Sequence, residues 1–166
     1  MLKPIVHVVA LCGLLAFTGC TGLKPLYGTS AGGTSVAADM SSLTVEEQRS
    51  RAGQIIRNEL LDGVKPGQPH FALNLQVTER QIDVASLSST LGSRKRYALT
   101  AHYELVNTAS SKTLTSGDSF SNVEYDTVNV PVADLQAADD ARKRAGKELG
   151  QDLRLRIATF LSSTKG

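Results

Sequence analysis

The side chains able to do chemistry in this chain are few and unevenly placed. Both cysteines, Cys12 and Cys20, fall at its N-terminal end, and of three histidines only His70 and His102 lie beyond them. A cysteine acts as nucleophile or metal ligand through its thiolate, so the long cysteine-free remainder offers neither function. His70 and His102 lack a second His, Asp or Glu at a metal-ligand spacing on the same element, so neither a zinc site nor a cofactor is expected. Walker A, G-x-G-x-x-G and G-x-S-x-G runs do not occur. The one dense charge feature is Arg94-Lys95-Arg96, with Arg80 at the far end of the preceding strand candidate. If the two strands pair as a hairpin, the four cations gather near its tip and can hold a phosphorylated or carboxylated partner. They serve equally as charges that keep a sheet edge from aggregating, and the residues alone leave both readings open.

Charge and composition narrow the classes further. Eighteen Lys and Arg against 16 Asp and Glu give a net charge of +2, too balanced for a general nucleic-acid binder. The 166 residues are 41% hydrophobic, enough for one domain of moderate size, and with 5% aromatics and no Trp its core must be aliphatic. Gly117-Asp118-Ser119 resembles the nucleophile block of GDS-type lipid hydrolases. Those enzymes need a histidine downstream to activate the serine, and none follows His102. A Ser119 hydrolase is therefore the weakest alternative, and the chain reads as non-enzymatic.

The N-terminus reads as an address. One positive charge in Met1 to Pro4 precedes an apolar run from Ile5 to Phe17, the length of a secretory h-region and short of the ~20 residues that span a bilayer. Phe17-Thr18-Gly19-Cys20 resembles the bacterial lipobox, with Phe17 in place of the usual aliphatic residue. That resemblance implies a signal peptide over 1–19, removed together with Cys12, and a lipidated N-terminus at Cys20. Thr21 stands where an Asp would favour the inner membrane, which points to the outer membrane. The competing reading is an ordinary signal peptide that ends near a cysteine. Residues 20–41, rich in Gly, Ser, Thr and Ala, read as a flexible tether, and 42–166 as a single domain.

Periodicity supplies the elements that would position the cations. From Leu43 to Leu61, Val45, Ala52, Ile55, Ile56 and Leu60 lie near helical spacing, with Gly63 as a stop. Either a capping box of Thr44 and Glu47 starts this helix, or Ser42–Glu46 is a strand and the helix begins near Arg49. Phe71, Leu73, Leu75 and Val77 alternate with polar neighbours, as do Tyr97, Leu99, Ala101, Tyr103 and Leu105. Lys112 to Glu124, interrupted by Gly117, suits a bulged or edge strand. A long polar tip, Ser86–Ser93, joins the first two strands, and a tight turn, Asn107–Ser111, joins the second and third. After Pro131, the stripe Leu135, Ala138, Ala141, Ala145, Leu149, Leu153, Ile157 and Leu161 marks a helix of about 28 residues, ~40 Å long. Its other face carries Asp139, Arg142, Lys143, Lys147, Asp152, Arg154 and Arg156, read as solvated. This order predicts an α+β two-layer sandwich, two helices on one face of a three- to four-stranded, largely antiparallel sheet.

Several blocks together resemble the alphaproteobacterial form of the LPS-assembly lipoprotein family, LptE. They are the lipobox cysteine, Leu23 to Gly28, Arg51 to Leu60, Arg96 to Leu105, Tyr125-Asp126, and Ala138-Asp139-Asp140-Ala141 through Arg144-Ala145, Leu149, Asp152-Leu153 and Arg156. The resemblance favours Ser42–Glu46 as a strand. It implies a non-enzymatic outer-membrane lipoprotein that plugs the β-barrel LptD and assists delivery of lipopolysaccharide to the outer leaflet. By place and charge it assigns lipopolysaccharide contact to Arg94 and Lys95, with Arg96 adjoining and Arg80 nearby. A plug needs a wet surface, for which Asn74, Gln76, Thr78, Thr100, Thr113, Thr115, Ser119 and Ser121 are the candidates. The alternative is a periplasm-facing carrier that holds an apolar ligand in a cavity of about 300 Å³ or more.

Overall fold

The computed structural model describes residues 36–65, 67–88 and 92–164. The lipobox, Cys20 and the signal peptide lie outside these residues. The described elements in chain order are α1 (Val36–Ser41), β1 (Leu43–Val45), α2 (Arg51–Leu61), β2 (Phe71–Ser88), β3 (Gly92–Asn107), β4 (Thr113–Thr127) and α3 (Pro131–Ser163). The strands form one sheet in the order β1-β2-β3-β4, with β1 parallel to β2 and the other pairs antiparallel. The expected α+β sandwich is what the chain adopts.

Local chemistry explains the boundaries. The strand reading of the N-terminal segment holds: Leu43 and Val45 turn inward as β1, and Ser50 caps α2, its Oγ accepting from Gly53 N at 3.0 Å. The capping box of Thr44 and Glu47 is therefore not used. The tether expected over 20–41 is shorter than that at its C-terminal end, because 36–41 is helical and Asp39 and Met40 are buried. At the β3–β4 turn, Asn107 Oδ1 accepts from the backbone of both Ala109 and Ser110. Gly92, at φ +88°, starts β3 where an added Cβ would sit 1.7 Å from Thr127 O, so only glycine fits there.

The alternation of β3 maps directly onto packing, for Tyr97, Leu99, Ala101, Tyr103 and Leu105 are all buried against the helices. Leu73 and Leu75 of β2 join them, while Phe71 and Val77 are partly buried. Strand β4 lies at the sheet's edge and is bulged, as expected, but the extra residue is Leu114, opposite the step from Leu105 to Val106, and not Gly117. Ser119 and Ser121, expected on the wet surface, are instead buried under α3, and Thr115, paired with Leu105, shares that side. The cause is that α3 brings hydrogen-bonding carboxylates over them, described below.

Helix α3 has 33 residues, about 50 Å, close to the length of the strands it covers. Its stripe is buried from Ala141 to Leu161, whereas Leu135, expected to pack, is 72% exposed and lines an open hollow with Gln81, Lys95 and Tyr125 at the first turns. Gly146 and Gly150 lie one turn apart on its α2-facing side. A Cβ at either would come within 2.7 Å of α2, at Ile55 Cγ2 and Glu59 Cβ respectively. Their missing side chains set the close helix–helix approach. Gly150→Leu is expected to lose about 1–3 kcal/mol in denaturant unfolding through overpacking, while Lys147→Leu on the exposed face stays within about 0.5 kcal/mol.

Candidate functional site

The hairpin of β2 and β3 brings the four cations named from sequence to one end of the sheet but divides them between faces. Register pairs Arg80 with Ala98, Arg96 with Ile82 and Lys95 with Asp83. Arg80, Arg94 and Arg96 thus point to the helix-free face, and Lys95 to the other. Three of the four have carboxylate partners. Arg94 Nε donates to Asp126 Oδ1 at 2.9 Å and its Nη2 to Oδ2 at 3.4 Å, Arg96 Nη2 donates to Glu124 Oε1 at 2.7 Å, and Lys95 Nζ lies 3.4 Å from Asp83 Oδ1. The Arg94 hydrogen bond holds the Asp126 carboxyl below its ordinary range, and the same bond raises Arg94. Arg80 is exposed and has no ion-pair partner among the described residues.

These carboxylates are not legible from the turn alone. Val106 pairs with Thr113 but Leu105 with Thr115, so Leu114 is an extra residue, and only beyond it does Arg94 face Asp126 and Arg96 face Glu124. Counting outward from the turn without that bulge sets Arg94 against Tyr125 and Arg96 against Val123. Neutralised by these carboxylates, the hairpin end is a set of exposed ion pairs plus Arg80 rather than a bare cationic patch.

On the helix side, a second polar group ties the sheet to α3. Tyr97 Oη donates to Glu79 Oε2, and Arg142 Nε donates to Tyr97 Oη at 3.1 Å, with the guanidinium 5.6 Å from the ring centre. Asp139 accepts from Arg142 and Lys143 and pairs with Arg51 at the start of α2, and the Lys143 bond leads in holding its carboxyl down. The face read as solvated is therefore partly committed to internal contacts. Ser119 Oγ donates to Asp152 Oδ2 at 2.6 Å and Ser121 Oγ to Glu148 Oε2 at 2.6 Å. Burial pushes Asp152 up, but the Ser119 and Arg156 hydrogen bonds outweigh it and leave its carboxyl below the ordinary range. Ser119 is thus bound to an acid on α3, while His102 lies on the opposite face with Nδ1 2.9 Å from Asp118 Oδ1.

Two further surface features bear on binding. A depression of about 330 Å³ on the helix-free face is lined by Thr78, Arg80, Ile82, Ala98 and Thr100. It reaches the volume a carrier needs, but it is an open hollow of the sheet surface and lies outside the layer interface. On the same face Phe120 is 73% exposed opposite Thr100. Among the described residues no group of three metal-ligating side chains comes together, and no helix is long and apolar enough to cross a membrane.

The Tyr97 site makes a direct prediction. Burial first, and then the hydrogen bond to Glu79, push its hydroxyl up to about 12. A phenol whose folded value lies above its unfolded one contributes stability that is complete below about pH 10 and is lost as pH rises toward 12. In an ultraviolet titration of the four tyrosines, one component is expected to ionise last, and Tyr97→Phe removes that component.

No family model matches the chain, and no curated protein matches it. Solved structures do. A candidate lipoprotein of Caulobacter crescentus matches with TM-score 0.66 and 22% identity, over 76% of this chain and 96% of the other. A minor lipoprotein of Acinetobacter baumannii matches with TM-score 0.53 and 13% identity, over 70% and 88%. The rare lipoprotein B of Shewanella oneidensis matches with TM-score 0.52 and 15% identity, over 75% and 94%. At these identities, what the chain shares with all three is the fold.

Proposed function

We propose that the chain is a lipoprotein, anchored in the outer membrane through Cys20, that seats in the β-barrel LptD and assists lipopolysaccharide insertion without making or breaking bonds. The observation that carries this reading is the helix-free face of the sheet. Its cross-strand rows run Asn74–Glu104–Ser116, Gln76–His102–Asp118, Thr78–Thr100–Phe120 and Arg80–Ala98–Asn122. Such a face is a surface of donors and acceptors in which Ile82 and Phe120 are the exposed large apolar side chains, suited to a water-lined barrel wall. Support comes also from the lipobox-like end, from the sequence blocks that resemble the family, and from the lipoproteins that share this fold.

Anionic lipid contact is compatible with the hairpin end despite its paired charges. The Arg94–Asp126 and Arg96–Glu124 pairs are each about half exposed, and water screens such pairs so that they contribute little to stability. A lipid phosphate, with several strong acceptor oxygens, can displace an aspartate there at little cost. Arg80 needs no such exchange. The carrier alternative requires an enclosed apolar cavity, which the open hollow beside Arg80 does not provide.

Purified from envelopes in mild detergent, the lipidated protein is expected to come away with a large β-barrel, and recovery without one would count against the plug. Reversing charge with Arg94→Asp and Lys95→Asp together is expected to weaken lipopolysaccharide binding while leaving the fold intact. Unchanged binding would remove both residues from the lipid site.

A further inference from the structure

Strand β2 is 18 residues long, yet β1 pairs only with Phe71, Ala72 and Leu73. Among the described residues, from Asn74 onward its outer edge has no neighbour in the sheet and no loop or cap backbone bond reaches it. Pairing with β3 is nevertheless continuous from Phe71 to Asp83, so the edge is straight and regular until the irregularity beyond Asp83. The upper half is also exposed to solvent from Glu79 to Ala85, although on the helix side Glu79 accepts from Tyr97 and Gln81 from Tyr125. Pro and Lys, the usual edge blockers, are absent from Asn74 to Asp83.

The two sides of this edge each carry a hollow. One, about 330 Å³, is lined by Thr78, Arg80 and Ile82 with β3 residues on the helix-free face. The other, about 280 Å³, is lined by Glu79, Gln81, Tyr97 and Arg142 on the helix side. A strand added to an edge bonds through its main chain and sends alternate side chains to either face. We propose that β2 from Asn74 to Asp83 is a β-augmentation site for an extended segment of another polypeptide, one that sets a carboxylate opposite Arg80.

Charge identifies the occupant. Among the described residues Arg80 is the cation of the hairpin without a carboxylate partner, and a residue directly across an added strand shares its face. A second copy paired through this same β2 edge cannot supply that acid. The residues of β2 on Arg80's face are Asn74, Gln76, Thr78 and Ile82, so no antiparallel register of two such edges sets a carboxylate against it. The chain's own residues 21–35 contain no Asp or Glu either. Strand β4, the other edge, differs because its Asp118, Glu124 and Asp126 are already met by His102, Arg96 and Arg94. This inference does not depend on lipid anchoring or on the barrel.

The test uses the full chain in mild detergent and two short peptides of alternating Thr and Val, one with a central Glu and one with a central Lys. Amide hydrogen exchange is expected to slow about tenfold at alternate positions between Asn74 and Asp83 with the Glu peptide, and the Lys peptide is expected to bind at least about fivefold more weakly. Arg80→Glu, at an exposed position without partners, is expected to reverse that preference. Protection confined to β4, equal binding of both peptides, absence of protection, or protection that appears with protein concentration alone would each overturn the proposal. The comparison of peptides on the unmodified chain decides the matter even if the variant folds poorly.

Discussion

The structure depends on one helix covering a sheet wider than itself. Helix α3 lies over β4 and β3, held by the buried stripe from Ala141 to Leu161 and by serine–carboxylate bonds at Ser119–Asp152 and Ser121–Glu148. Helix α2 docks beside it only because Gly146 and Gly150 let the two backbones approach closely. One helix layer can bury one face, so the opposite face of the sheet stays wet and the outer half of β2 stays exposed. The open sheet face and the free edge of β2 both follow from that asymmetry.

Much of this was legible in the chain, and what escaped has physical causes. Period-two alternation placed all five inward residues of β3, because one face against apolar helices and one in water is what that pattern encodes. Leu135 fits the same helical stripe as Leu149, yet it lines an open hollow with Gln81, Lys95 and Tyr125 while Leu149 is packed into the core. Periodicity gives the face of a helix and not how closely the layer beneath approaches it. Ser119 and Ser121 looked solvated by residue type, and only the placement of Asp152 and Glu148 above them makes their burial favourable.

The cationic cluster shows the same limit in charge. Arg94-Lys95-Arg96 is dense along the chain, but successive residues of a strand point to opposite faces, and neighbouring strands brought Asp126, Asp83 and Glu124 against them. A run of like charge is thereby turned into three exposed pairs. Arg80, unremarkable in sequence, becomes the cation that stands out. The net charge of +2 is an average over such local compensation and describes neither the hairpin end nor the open face.

The central claim is that the helix-free face is a partner's surface while the helix layer is solvent-facing. Site-specific photocrosslinking in the native envelope, from Gln76, Thr100 and Phe120 on one side and from Lys147 on the other, measures this directly. The account predicts capture of a single β-barrel protein from the three sheet positions and none from Lys147. Capture from Lys147 alone, or from no position, would contradict it.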